Sequence, residues 1–284
     1  MAALVYAVGN QKGGVGKTTT TINLAAAVAE RKKRVLVVDL DPQANATSGL
    51  GLEKQPGGSV YEHLLDGTSA AGKIKFTSTP RLDLLPGEMD LAGAELEIAH
   101  LEDRLHRLRL ALAPVREKGG YDFIFIDCPP SLGVLTLNAF CAAERVLIPL
   151  QCEYYALEGL SAMSETIRRL REGGANPELS LAGIIFTMYD RRTNLANQVV
   201  DEVRQHYPEQ AFASLIPRSV RLSEAPSHGL PVIKYAGGSP GAEAYRDLAK
   251  EFLRRLQMAS IDPWTKPTPE NEPEEPPRAV EDDG

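Results

Sequence analysis

The chain has 284 residues, of which 43% are hydrophobic, 24% charged and 6% aromatic, and its formal net charge is −7. That composition excludes a wholly disordered chain and a fibrous repeat. No apolar run approaches the roughly 20 residues that a membrane-spanning helix needs. In chain order, Leu4–Val8 (LVYAV) reads as a buried strand, and Lys17–Arg31 as a helix with Ile22, Leu24, Ala25 and Val28 on its apolar side. Val35–Asp39 (VLVVD) is a second buried strand and Leu82–Leu85 a third. Asp90–Ala113 repeats apolar residues at helical spacing and is predicted as one helix ending before Pro114. Phe123–Asp127 (FIFID), Val146–Pro149, Leu181–Phe186 and Leu215–Ile216 read as strands, and Leu157–Arg171, Asn194–His206 and Gly241–Met258 as helices. Continuous apolar strands alternating with helices predict an α/β fold, a mostly parallel central sheet with helices on both faces. Nothing resembling a linker precedes residue 260, so a single domain is predicted over residues 1–260, followed by a tail over 261–284.

From residue 262 to 284 there are eight acids, two bases and six prolines, with almost nothing apolar to bury. Such a segment is predicted to be disordered, a solubilising appendage or an acidic competitor for polyanion binding. The rest of the chain is close to neutral, so local basic patches can still meet a polyanion. Cys128, Cys141 and Cys152 are odd in number and widely spaced, which fits a reducing compartment and neither a disulfide framework nor a zinc site. The five histidines show no ligand spacing. Met1–Val8 is too short for a secretory signal, and a cytoplasmic location is expected.

The informative stretch follows the first strand: Gly9-Asn10-Gln11-Lys12-Gly13-Gly14-Val15-Gly16-Lys17-Thr18-Thr19-Thr20. Strand, glycine-rich loop, Lys-Thr and helix is the P-loop layout. Glycines let backbone N–H groups curl around phosphate oxygens, and the helix aims its positive end at the same anion. Gly13, Gly14, Val15, Gly16, Lys17, Thr18 and Thr19 are therefore the expected phosphate ligands, with Lys17 as the cation for the outer phosphates. The Thr18 hydroxyl suits Mg²⁺. The strict spacing would put glycine at position 11, where Gln11 stands, and a second lysine, Lys12, enters the loop instead. Carboxylates at neighbouring strand ends should complete the site. Asp127, after four buried residues, is assigned to Mg²⁺ through a water, and Asp41 of VVDLDPQAN to orienting the attacking water. Asp39 is assigned a structural role. Pro129-Pro130-Ser131 makes a stiff turn suited to sensing the γ-phosphate.

Lys12 within the loop resembles the deviant P-loop class, the MinD/ParA/nitrogenase iron protein group. More narrowly, KGGVGKTTTTINLA, VLVVDLDPQANATSGLG, YDFIFIDCPPSLGVLTLNAF, TMYDRRTNLANQVVDEV and IPRSVRLSEAPSHGLPVIKY closely resemble the ParA/Soj chromosome-partition ATPases, from about residue 3 to residue 257. The resemblance implies a P-loop NTPase-like fold and a slow ATPase that uses ATP and Mg²⁺. It implies an ATP-dependent homodimer in which Lys12 of each subunit reaches the other's phosphates, so that Lys12, Lys17 and Asp41 carry the chemistry. It further implies non-specific double-stranded DNA as a partner on the nucleoid. A ParB/Spo0J-type centromere-binding protein would stimulate hydrolysis, and the cycle would drive chromosome or plasmid segregation. The adenine would lie near Pro217, with Met188 lining the same pocket.

Non-specific DNA binding needs several cations on one face. The candidates are Arg191, Arg192, Arg218, Arg221, Lys234 and Arg246. The run Arg31-Lys32-Lys33-Arg34 joins a helix end to a strand and is read as structural. A MinD-like membrane-associated ATPase is the alternative, which would use the amphipathic helix around Ala244–Met258, but an acidic, proline-rich segment follows it. An iron–sulfur reductase is disfavoured by the position of Cys128, a tyrosine autokinase by a tail without tyrosine, and a dead binding module by the presence of Lys17, Thr18, Asp41 and Asp127.

Overall fold

The computed structural model describes residues 2–118, 120–153 and 156–261. In chain order the elements are β1 (Leu4–Val8), α1 (Lys17–Glu30), β2 (Val35–Asp39), α2 (Asn45–Gly49), α3 (Tyr61–Asp66), β3 (Lys75–Phe76), β4 (Leu82–Leu85), α4 (Leu91–Ile98), α5 (Arg107–Lys118), β5 (Phe123–Asp127) and α6 (Val134–Ala142). They continue with β6 (Arg145–Gln151), α7 (Ala156–Glu172), β7 (Ser180–Tyr189), α8 (Asn194–His206), β8 (Ala211–Pro217), α9 (Val220–Glu224), α10 (Val232–Tyr235) and α11 (Pro240–Ile261).

The eight strands form one sheet in the order β3-β4-β2-β5-β1-β6-β7-β8. All neighbours are parallel except β3 with β4. Period-two alternation divides each central strand between two cores. Val5, Ala7, Leu36, Val38, Ile124 and Ile126 face the side covered by α3 to α8. Tyr6, Val8, Val35, Val37, Phe123 and Phe125 face the side covered by α1 and α9 to α11. On that second side Tyr6 meets Phe252 edge-on, with ring centroids 5.0 Å apart. Burial on both faces is why these strands read as unbroken apolar runs.

The short helices α2, α3, α9 and α10 have no counterpart in the sequence reading, β6, β7 and β8 are longer than it gives, and three further features differ. The segment predicted as one helix over 90–113 is two, α4 and α5, separated by turns, and Pro114 lies inside α5. Proline there removes a donor from the Leu110 carbonyl, and Leu110 is on the outer face, 45% exposed, so the break in the ladder costs little. The two-residue edge strand β3 has no apolar alternation to betray it. Helix α11 continues to Ile261, one residue into the predicted tail. The remaining tail, 262–284, lies outside the described residues.

The amphipathic face of α11 is occupied: Tyr245, Leu248, Ala249 and Phe252 are at most 3% exposed and pack into the second core. Among the described residues no helix is long and apolar enough to cross a membrane.

Register explains where the site lies. Val8 and Asp39 each pair laterally with Asp127, so β1, β2 and β5 end flush. The loops that leave them meet at one edge of the sheet, beside the crevice where connections diverge from central β1.

Candidate active site

The loop from Gly9 to Gly16 carries the chain from buried β1 into α1. Gly14 and Gly16 have φ of 73° and 88°, a region closed to most side chains. Gly16 is the N-cap of α1, whose first turn holds no acidic residue of its own, so no carboxylate within the helix competes for its free N–H groups. Thr187 on β7 pins the loop by donating to the Val15 carbonyl at 2.8 Å.

Lys17 is 7% exposed and donates to the Lys12 carbonyl at 2.9 Å. Burial holds its pKa below the ordinary lysine value, against the nearby Asp127, Cys128 and Asp41. A low-pKa lysine amid backbone amides will be drawn to added negative charge.

Asp127 is fully buried at the end of β5 and accepts from Thr18 Oγ1 at 2.7 Å and Thr21 Oγ1 at 3.0 Å. Asp39 is also fully buried and accepts from the Thr47 amide and hydroxyl, each at 2.7 Å. Thr47 in turn accepts from the Gly87 amide at 2.9 Å. Asp39 therefore anchors α2 and the loop before it, which carries Asp41. Asp41 is 6% exposed and accepts from the Gln43 amide at 2.9 Å. Burial raises the pKa of both Asp39 and Asp127, reinforced at Asp39 by the nearby Asp41 and at Asp127 by Asp39 and Asp41, against the threonine hydrogen bonds that each accepts. Three carboxylates beside one lysine make a site short of positive charge.

Two cavities meet here. One, of about 400 Å³, is lined by Gly13, Gly14, Gly16, Lys17, Thr18, Thr19, Asp41, Gln43, Asn45, Pro130 and Met188. The other, of about 350 Å³, is lined by Gly16, Thr19, Thr187, Met188, Pro217, Arg218, Leu222 and Tyr245, among others. They share Gly16, Thr19 and Met188. Met188 has φ of 50°, an uncommon conformation for a residue with a side chain, at this junction. A glycine-rich chamber lined by Lys17, Thr18 and Asp41, adjoining one lined by Met188, Pro217 and Leu222, matches a polyphosphate joined to a flat base. Val15, next to these glycines, is 1% exposed and offers backbone only.

The fit to a hard dication follows from the donor set. Among the described residues no three His, Cys, Asp or Glu are grouped to hold a metal by themselves. Mg²⁺ is commonly held by one or two protein groups plus phosphates and waters, which is what Thr18 and Asp127 offer. All three cysteines are free and buried.

Lys12 stands apart from the phosphate chamber. Its Nζ pairs with Glu153 Oε2 at 2.8 Å, just past β6. Sequence reasoning missed Glu153, because the contact spans 141 residues with no motif to flag it. It also missed Thr21, Thr187, Gln43, Asn45 and Tyr245; the run Thr18–Thr21 was the one available hint.

The basic candidates are dispersed. Arg192 is held by Asp190 at 2.7 Å, Arg221 by Glu224 at 2.8 Å and Arg246 by Glu30 at 2.9 Å. Lys234 donates to the Ser78 carbonyl. Arg191 is exposed, and Arg218, also exposed, lines the base-sized cavity. In the run 31–34, Lys33 pairs with Asp122 at 3.5 Å and Arg34 lies over the Tyr121 ring, a structural use.

Residues 3–181 match the family described as AAA domain. Over 248 residues the chain is 52% identical to the sporulation initiation inhibitor protein Soj of Bacillus subtilis (strain 168), covering 87% of this chain and 97% of that protein. Over 252 residues it is 50% identical to the chromosome partitioning protein ParA of Myxococcus xanthus (strain DK1622), covering 88% of each. Among solved structures, cobyrinic acid a,c-diamide synthase from Mycobacterium smegmatis, with bound ADP and magnesium, superposes with a TM-score of 0.77 at 39% identity, covering 90% of this chain and 96% of that one.

Proposed function

Because the chain belongs to the Soj/ParA family of chromosome-partitioning ATPases, we propose that ATP drives it into a homodimer that grips DNA without sequence preference, and that a ParB/Spo0J-type protein resets it by stimulating hydrolysis. The observation that carries this reading is the pair of chambers meeting at Gly16, Thr19 and Met188, with Lys17, the Thr18–Asp127 pair and Asp41 around the glycine-rich one.

ATP lies with its base beside Pro217 and Met188 and its phosphates along the loop from Lys12 to Thr19. The α1 N-terminus and Lys17 bind the phosphate oxygens. Thr18, and Asp127 through a water, would hold Mg²⁺, which would neutralise phosphate charge; the ADP and magnesium bound in the M. smegmatis structure support a nucleotide and Mg²⁺ as the pair to be held. Asp41 orients the attacking water. A carboxylate is a weak base for water, so its contribution is position rather than proton removal. Lys12 of each subunit contacts the partner's phosphates and stabilises charge that spreads over the transferred group. Catalysis completed only by the second subunit would make turnover slow and controllable.

In the dimer, basic residues from both subunits face one polyanion, which raises affinity beyond what the near-neutral monomer body achieves. Release after hydrolysis then ties DNA residence to the nucleotide, and a cycle of binding, stimulation and release moves chromosome or plasmid cargo over the nucleoid.

The test is a DNA titration with ATP, with ADP and without nucleotide, with molecular mass measured alongside. ATP is expected to yield a dimer with tight, salt-sensitive DNA binding. A monomer in saturating non-hydrolysable ATP analogue would sink the proposal.

A further inference from the structure

We propose that Glu153 is a positioning residue that holds Lys12 within its own subunit and so sets how much nucleotide is needed for pairing. The inference rests on the reading that Lys12 acts across the dimer.

Both ends of the contact are rooted on the end of β6. Lys12 Nζ reaches Glu153 Oε2 at 2.8 Å, while Gln151 Nε2 donates to the other carboxylate oxygen. The Glu153 amide donates to the Gln151 carbonyl at 2.8 Å, and its carbonyl accepts from Ala156, the first residue of α7, at 2.9 Å. On the other side the Lys12 amide donates to Asn10 Oδ1 at 3.0 Å, and buried Asn10 donates to the Pro149 carbonyl at 2.8 Å. The carboxylate and the loop carrying the lysine are thus fixed to the same strand, and little conformational entropy is lost in joining them.

The pair is half-exposed, 40% at Lys12 and 45% at Glu153. Exposed ion pairs shift an equilibrium by roughly twofold to fivefold. A contact of that size keeps the lysine at home yet yields to a triphosphate, which carries several charges to Glu153's one. Dimerisation must free two lysines, one per subunit, so the effect enters squared. Removing the Glu153 charge should therefore strengthen nucleotide-dependent association roughly fourfold to 25-fold. Because the pair is exposed, salt should erode the difference.

The experiment is sedimentation equilibrium of the full chain with Mg²⁺ and a non-hydrolysable ATP analogue, at low salt and at about 0.5 M salt. Glu153→Gln is expected to pair at lower protein and nucleotide concentration than wild type, with most of the gain gone at high salt. Glu153→Asp, which keeps the charge, should stay near wild type. Lys12→Ala with Glu153→Gln should remain monomeric, since the carboxylate acts only through the lysine. Unchanged or weaker pairing of Glu153→Gln overturns the inference, as does a gain that persists in the Lys12→Ala background. If wild type itself stays monomeric, or Lys12→Ala pairs as well as wild type, the dimer reading fails and takes this inference with it.

Discussion

Thr18 Oγ1 donates to Asp127 Oδ2 at 2.7 Å, joining the first turn of α1 to the end of β5 across 109 residues of chain. The hydroxyl and carboxylate are therefore already side by side where a dication would sit. Asp127→Asn keeps the shape and removes the charge. ATP affinity measured with Mg²⁺ should fall about tenfold or more, as expected when a charge-assisted interaction is removed. In excess chelator the two proteins should bind nucleotide alike. An equal drop in both conditions would show that Asp127 shapes the loop and has no part in Mg²⁺ binding.

Asp41 is held by the Gln43 amide on a loop that Asp39 anchors through Thr47. Asp41→Ala should lower phosphate release about 10²-fold, the scale of misplacing one reactant. ATP affinity should change little, and the dimer should persist on DNA longer than in wild type. Phosphate release and DNA dissociation measured on one sample check both halves. Hydrolysis at the wild-type rate would remove Asp41 from its role.

How far the sequence alone reaches depends on the range of the physical signal. FIFID and VLVVD are legible because burial on both faces leaves no polar residue until the strand ends, and the ends are Asp127 and Asp39 themselves. Asn194–His206 is read to the residue because its apolar positions repeat cleanly, with Ala196, Val199, Val200 and Val203 buried. The same periodicity misled over 90–113, where Leu91, Ala94 and Ile98 do face the core but turns intervene before Arg107. The partner of Lys12 is invisible for a different reason. Glu153 follows a strand like many other acids, and only the β1–β6 neighbourhood brings it to the loop.

The basic residues differ in what they already hold. Arg192, Arg221 and Arg246 each carry a carboxylate partner, whereas Arg218 borders the cavity proposed for the base. Arg192→Ala with Arg221→Ala should weaken binding to every DNA sequence alike and leave ATP affinity unchanged. The slope of log K against log salt should fall by about 0.9 for each DNA phosphate the variant no longer neutralises. Arg218→Ala should lower ATP affinity as well. An unchanged salt slope in the double variant would exclude that pair from the DNA surface.

Glu251 on α11 closes the open edge of β8. Its carboxylate accepts from the Ala213 and Ser214 amides, each at 2.9 Å, from the Ser214 hydroxyl at 2.7 Å and from Arg255 at 2.8 Å. Burial alone would raise its pKa, but these donors outweigh burial and hold it below its ordinary 4.5. A carboxylate depressed in the folded state stabilises the fold above its unfolded pKa, and that contribution is lost as pH falls through the folded value. Glu251→Gln should therefore cost about 1–3 kcal/mol at neutral pH, because it removes a charge-assisted network from a buried site. The gap to wild type should narrow below about pH 4. Urea unfolding of both proteins across that range measures it, and a gap that stays constant into acid would mean the loss is one of packing rather than charge.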